Sequence, residues 1–260
     1  MMKRINASLS VVIATVCLFF ALPGHASNHA YPSDARVAIQ IGSDLYDSLD
    51  AKYRNQLDAH PIRFVSSEDP MVLLVETNDQ NRVVCQISVS VCFVDLINHI
   101  AHAKAIDRVE HGYFGKYMAA LEGKGAAPAI VEDRYWTDKI INEQSGYFGQ
   151  IMGWTMAINL SHYYLGQFEK HAGQLQTGAA IPINNLLSPS EWDKGVRAGA
   201  VNSLNCALGS DGARALFDAI GKMTQRPAWA DYIVPQKTNF ARLNAQMATY
   251  ESDFFHGRLN

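Results

Sequence analysis

The longest run with helical spacing in this 260-residue chain extends from about Asp138 to His171, with Gly146 as the candidate for a break. Its most informative part, Gly153–Gln167, reads GWTMAINLSHYYLGQ. Spacings of three and four residues return to the same face of a helix, so Ile158 and His162 share one side. The sequence therefore predicts a long helix that carries a histidine inside an otherwise apolar stretch.

Shorter elements are predicted on both sides of this helix. An Asp-capped helix from Asp34 to about Leu57 precedes two strands, Met71–Val75 and Arg82–Val91, which a polar turn joins into a hairpin. The further helices are predicted at Phe93–Val109, Tyr113–Leu121, Ser188–Leu208, from Ser210 onward, and at Thr238–Phe255. One small sheet among many helices predicts a mostly helical α+β domain over residues 27–260, with residues 111–138 as a candidate lid or insertion.

The first 26 residues have the pattern of a cleavable secretory signal peptide. Lys3 and Arg4 precede the apolar core Leu9–Leu22, and Gly24-His25-Ala26 predicts cleavage after Ala26. An apolar core of this length is shorter than the roughly 20 residues that span a bilayer. We therefore expect an exported protein, periplasmic or secreted, without a stable membrane anchor after cleavage. A retained N-terminal anchor is the alternative.

Charge and cysteine content limit the classes of partner and the disulfide bonds that the protein can have. Removal of the two basic residues of the signal peptide leaves 20 basic and 25 acidic residues, a net charge of −5, without a basic cluster. Nucleic acid is therefore a poor candidate partner. Cys85, Cys92 and Cys206 remain, which allows at most one internal disulfide. Cys85 and Cys92 would lie on opposite faces of the second strand and could not easily bond each other, so one of them could pair with Cys206.

The helix around His162 invites comparison with the zinc-peptidase motif H-E-x-x-H. In that motif two histidines one helical turn apart bind zinc, and the glutamate activates the bound water. The five aligned positions here read Ile158-Asn159-Leu160-Ser161-His162. The second histidine is present, isoleucine replaces the first, and Asn159 occupies the position of the general base.

In the order of its elements the chain resembles the HtpX-like and CAAX-protease-like gluzincins, whose active-site helix often reads H-E-L-x-H-x-x-L-G-H. The matching residues are Leu160, His162, Leu165 and Gly166, and the Glu191 helix takes the place of the helix that supplies the third zinc ligand. The resemblance implies a zincin-like fold with the sheet packed on the active-site helix. It also implies an edge strand for substrate, here represented by Ser88, Val89 and Ser90.

The departures from that pattern leave two protein ligands where a zinc site needs three. Isoleucine cannot bind a metal, and the amide of Asn159 is not a general base near neutral pH. A rearranged site could combine His162 and Glu191 with His102, which lies three residues after His99 on the Phe93 helix. Each candidate also has a structural explanation. His162 would be a core histidine, Glu191 the last residue of an N-terminal capping box, and His99 and His102 part of a solvated edge.

Three functions are compatible with these features. The first is an exported zincin-like protein with a degenerate metallopeptidase centre, retained as a peptide- or protein-binding or chaperone-like module. The second is an active metal-dependent hydrolase with a non-standard site around His162 and Glu191, in which zinc would be the metal. The third is a structural or envelope-associated protein without a small-molecule site.

Export predicts a defined mature N-terminus. Protein recovered from its native host should begin at Ser27, within a few residues, because the small residues Gly24 and Ala26 mark the cleavage site. Mass spectrometry of the intact protein measures this directly. A membrane-bound protein that retains Met1 would contradict the prediction.

Overall fold

The computed structural model describes residues 29–59, 62–67, 74–77, 83–122, 127–171 and 183–259. The predicted signal peptide, residues 1–26, lies outside this part of the chain. The described helices are α1 (Ala35–Asp47), α2 (Ala51–Ala59), α3 (Val91–Ile106), α4 (Tyr113–Leu121), α5 (Asp138–Tyr164), α6 (Gln167–His171), α7 (Pro189–Asn205), α8 (Asp211–Lys222) and α9 (Phe240–Phe255). The expectation of a mostly helical fold is confirmed. No helix in these ranges combines the length and the apolar character that a membrane span requires.

The described strands are β1 (Ile62–Ser67), β2 (Leu74–Thr77) and β3 (Val83–Ser90), in the spatial order β1-β3-β2. β3 pairs in parallel with β1 and antiparallel with β2, so it is the central strand. It leads directly into α3, and the buried Ser90 hydroxyl accepts a hydrogen bond from the Phe93 N–H at the start of that helix. The chain therefore turns from strand to helix without a loop.

The first predicted helix is divided in two. The Asp34 carboxylate caps α1 by accepting hydrogen bonds from two backbone N–H groups, as its position predicts. α1 ends at Asp47, with Ser48 as its C-terminal cap, and α2 begins at Ala51. Leu45 in the last turn of α1 and Leu49 in the junction itself are both buried. The junction brings α2 close to α5.

α5 is the central element of the fold. It continues without a break through Gly146 and packs against α1, α3, α7 and α8. Its C-terminal half is buried on all sides, including the rings of Trp154 and Tyr164. The indole N–H of Trp154 donates to the carbonyls of Leu208 and Gly209, which fixes the turn between α7 and α8. A helix that is buried around its whole circumference needs neighbours on every side, and the other helices provide them.

A second set of polar contacts holds the N-terminal half of α5 in place. The buried Gln144 amide donates to the Asn98 side chain of α3 at 2.7 Å, and Asn98 in turn donates to the carbonyl of Ser33 at 2.7 Å. These bonds attach the segment before α1 to the core. The region considered a candidate lid packs likewise, since α4 lies on α3 and α8 and the Tyr117 hydroxyl donates to the carbonyl of Pro128.

Candidate functional site

The residues aligned with the zinc-peptidase motif lie where α5 meets α7. Ile158 and His162 share the face of α5 that packs on α7, as predicted, and two glycines of α7 lie opposite them. A Cβ atom on Gly199 would lie 2.8 Å from the backbone of Ile158. A Cβ atom on Gly195 would overlap the imidazole of His162. The two backbones therefore approach closely, and the His162 ring occupies the space that the missing side chain leaves.

His162 is a buried, neutral histidine. Its side chain has no solvent exposure, and its ring lies 5.5 Å from the Trp192 ring between centroids. Its Nδ1 atom is 2.6 Å from Oε1 of Gln167, whose Nε2 donates to the carbonyl of Glu191. That second bond orients the amide, so Oε1 is the acceptor and Nδ1 of His162 carries the hydrogen. Burial lowers the pKa of His162 to about 4, which keeps the ring uncharged at neutral pH.

Glu191 performs the capping role that its position predicts. Its carboxylate accepts from the backbone N–H and the hydroxyl of Ser188, while the Ser188 hydroxyl accepts from the N–H of Glu191. The carboxylate also pairs with Lys170 and with His171 of α6. The Lys170 ammonium, followed by the Ser188 N–H, holds the pKa of Glu191 well below its usual range. The capping-box interpretation is confirmed, and the carboxylate is already surrounded by donors.

The two remaining positions of the motif are also parts of the packed interior. Ile158 is 1% exposed, and Asn159, in the position of the general base, is equally buried. The Asn159 amide donates to the carbonyl of Thr155 one turn earlier at 2.8 Å. Ser161 donates to the Gly195 carbonyl and so adds a hydrogen bond between α5 and α7. The position of the general base is therefore occupied by an amide, and the imidazole of His162 is neutral.

His102 belongs to a different cluster. Its Nε2 atom is 2.8 Å from the carbonyl of Tyr135, so Nε2 carries the hydrogen, and its Nδ1 faces the Tyr31 hydroxyl, which also contacts Nδ1 of His99. Burial lowers the pKa of both histidines, that of His99 to about 4. The expectation of a solvated edge is wrong for His102, which is completely buried.

The rearranged metal site of His102, His162 and Glu191 is not assembled. His102 lies by Tyr135 near the start of α5, and His162 lies at its end. From Asp138 to His162 the helix is roughly 36 Å long, at 1.5 Å per residue. Within the described ranges, no three His, Cys, Asp or Glu side chains are grouped so that they could hold a metal ion.

The expected substrate edge is corrected by the strand order. β3 is hydrogen-bonded to β1 on one side and to β2 on the other, so it is not an edge strand. Ser88, Val89 and Ser90 pair with residues 65–67 of β1. Val89 and Ser90 are buried, and Ser90 caps α3. An extended peptide cannot add to the side of β3 that β1 occupies.

The cysteines also differ from expectation. Cys92 lies in α3 rather than on the strand that ends with Ser90. Cys206 is a thiol at the C-terminal end of α7, where its Sγ donates to the Ser48 hydroxyl at 3.2 Å. Burial raises the pKa of this thiol. The proposed disulfide to Cys206 is therefore not formed in the structure, and the side chain of Cys85 lies outside the described part of the chain.

A cavity of about 470 Å³ opens beside this centre, at the N-terminal ends of α7 and α9, and we refer to it as the α7–α9 cavity. Its walls include Trp192, whose ring also packs on His162. Five carboxamide side chains line it: Asn184, Asn185, Gln236, Asn239 and Gln246. Helical periodicity did not predict this cavity, because most of these amides come from the loops before α7 and α9. The Asn184-Asn185 pair is the sequence feature that could have indicated a polar cavity.

Asn184 is the most constrained of these amides. It is 1% exposed, and its Nδ2 atom faces the carbonyls of Asp231 and Tyr232, at 3.4 and 3.2 Å. Two carbonyl partners fix the orientation of the amide, so the other atom is Oδ1. Oδ1 has no hydrogen-bond partner among the described residues. A buried acceptor without a donor is destabilising until a donor reaches it.

Comparison with protein-family models, with curated proteins and with solved structures finds no match to this chain. The gluzincin resemblance therefore depends on the residue pattern of the chain itself.

The buried state of His162 predicts a specific pH dependence of stability. Unfolded histidine has a pKa near 6.5, whereas folded His162 has a pKa of about 4, so the unfolded chain takes up a proton first as the pH falls. The free energy of unfolding should therefore fall between about pH 6.5 and 4, by on the order of 3 kcal/mol from this residue. The partly buried His99 acts in the same direction.

The variant His162→Asn isolates this contribution in urea unfolding at a series of pH values. It keeps an N–H donor for Gln167 but does not titrate, so its curve should be flatter than that of the wild type between pH 6.5 and 4. His256→Asn, at an exposed position, serves as the matched control for replacing a histidine by asparagine. Parallel curves for wild type and His162→Asn would contradict the assignment of a buried neutral ring.

Proposed function

We propose that this protein is an exported binding protein with a zincin-like arrangement of helices and a degenerate metallopeptidase centre, and that its ligand is a peptide or a protein segment. The observation that carries the proposal is the α7–α9 cavity with its unsatisfied acceptor, Asn184 Oδ1. The proposal of export depends on the N-terminal sequence pattern alone. The zincin-like identity depends on the residue pattern around His162.

The chemistry of the cavity suits a peptide backbone. A peptide unit offers one N–H donor and one C=O acceptor, and each carboxamide side chain offers the complementary pair. Asn184 Oδ1 would accept a peptide N–H, and the neighbouring amides would receive carbonyls. Its apolar walls, formed by residues that include Leu187, Trp192 and Leu243, would take up side chains. A volume of about 470 Å³ lies within the usual range of roughly 300–1,000 Å³ for binding pockets.

The neighbouring centre supports binding rather than hydrolysis. His162 is hydrogen-bonded to Gln167 in the interior, and the Glu191 carboxylate is held by Ser188, Lys170 and His171. A zinc peptidase needs three ligands and a general base with access to water. His162 instead supports one wall of the cavity, because its ring packs on Trp192, which lines the cavity.

The test uses a defined mixture of N-acetylated tripeptide amides with the mature protein, and saturation-transfer NMR detects which peptides bind. Gln246→Trp should fill the cavity and weaken binding at least about tenfold, since a large side chain would occupy the ligand volume. Ala245→Trp, at an exposed position on the same helix, should leave binding unchanged. The same mixture is followed by mass spectrometry with added zinc and with a chelator.

The proposal expects bound peptides that remain intact under both metal conditions. If peptides bind equally well to Gln246→Trp, the α7–α9 cavity is not their binding site. Zinc-dependent cleavage that is lost in His162→Ala would overturn the proposal in favour of the metal-dependent hydrolase.

A further inference from the structure

A second cavity, of about 290 Å³, lies on the opposite flank of α7, where the junction of α1 and α2 meets the end of α5. We refer to it as the α2–α7 cavity. Its apolar wall includes Leu49, Tyr53, Tyr164 and Val201. The two tyrosine rings lie 4.4 Å apart between centroids and form a continuous surface. Burial raises the pKa of Tyr164, so its phenol is uncharged.

The rim of this cavity is positively charged. Lys52, Lys194 and Arg197 line it with exposed side chains, and Asp50 is the one acidic residue among the described lining residues. None of the three cations forms an ion pair within the described ranges. The chain as a whole carries a net charge of −3, so this local excess of positive charge runs against its overall balance. An anion would be attracted to this rim.

The polar side of the cavity contains a buried amide with an unused donor. Asn202 is 3% exposed, and its Oδ1 lies 2.6 Å from the Ser48 hydroxyl, whose one hydrogen is shared with the Leu45 carbonyl at 2.9 Å. The Ser48 oxygen in turn accepts from the Cys206 thiol at 3.2 Å. The Nδ2 atom of Asn202 has no hydrogen-bond partner among the described residues. A ligand that brings an acceptor oxygen would satisfy this donor.

We propose that the α2–α7 cavity binds an amphipathic carboxylate, with its head group between the cationic rim and the Asn202 amide and its apolar part against Tyr53, Tyr164 and Val201. Each part of the cavity matches one part of such a molecule. A carboxylate has acceptor oxygens and no donor, which suits three cations and one amide N–H. The volume restricts the apolar part to a short chain or a single ring.

The test is calorimetric titration of the mature protein with octanoate, with octan-1-ol as the uncharged analogue of equal chain length. Octanoate should bind at one site, and octan-1-ol should bind at least about tenfold more weakly. Raising the salt concentration should weaken octanoate binding, because the rim charges are exposed and therefore screened. Arg197→Gln and Lys194→Gln should each weaken it about two- to fivefold, as expected for a partly exposed charge partner. Lys116→Gln, an exposed lysine on α4, serves as the matched control and should have no effect.

A second variant tests the apolar part independently of charge. Ala198 lines the cavity, and Ala198→Phe should fill it and abolish octanoate binding. Thermal unfolding establishes whether this variant is folded. If it is not, the two charge variants still decide the question. Equal affinities for octanoate and octan-1-ol, unchanged binding in both charge variants, or no binding of octanoate at millimolar concentration would each overturn the proposal. Binding to phosphatidylglycerol vesicles without binding of free octanoate would overturn it as well.

Discussion

The close approach of α5 and α7 determines the surroundings of His162 and of the residues next to it. Gly199 lies against the backbone of Ile158, and Gly195 leaves the space that the His162 ring fills. The Ser161 hydroxyl adds a hydrogen bond to the Gly195 carbonyl across the same contact. Two helices that pack at this distance exclude water from the residues between them. Any chemistry attributed to His162 must therefore be that of a dry, neutral imidazole.

This constraint leaves the flanks of α7, rather than its contact with α5, for the two proposed binding sites. The α7–α9 cavity lies at its N-terminal end, where Trp192 separates the cavity from His162. The α2–α7 cavity lies along the side that carries Lys194 and Arg197. Both cavities include a buried carboxamide with one unsatisfied atom, an acceptor in Asn184 and a donor in Asn202. Because one cavity has an unsatisfied acceptor and the other an unsatisfied donor, we propose different ligands for them.

Helical periodicity predicted the start of α5, the α4 bounds and the capping box at Glu191, because these depend on local spacing and on backbone hydrogen bonds near in sequence. The predicted end at His171 was wrong, since α5 ends at Tyr164 and Gly166 has a positive φ before α6 begins. The Ser48 break between α1 and α2 and the central position of β3 were not predicted, since both depend on contacts with distant segments. The sequence did indicate that His162 could be a core residue. The partners that decide it, Gln167 and Gly195, could not be assigned from spacing alone.

The stability of two alanine variants tests the central role of this helix contact. In Gly199→Ala the new Cβ would lie 2.8 Å from the Ile158 backbone, which cannot move aside, so the variant should lose about 1–3 kcal/mol in urea unfolding. In Gly146→Ala, within α5, the Cβ meets no atom within 4 Å, so helix propensity should make that variant equally or more stable than the wild type by up to about 1 kcal/mol. Equal stability of Gly199→Ala and the wild type would contradict the close approach of α5 and α7.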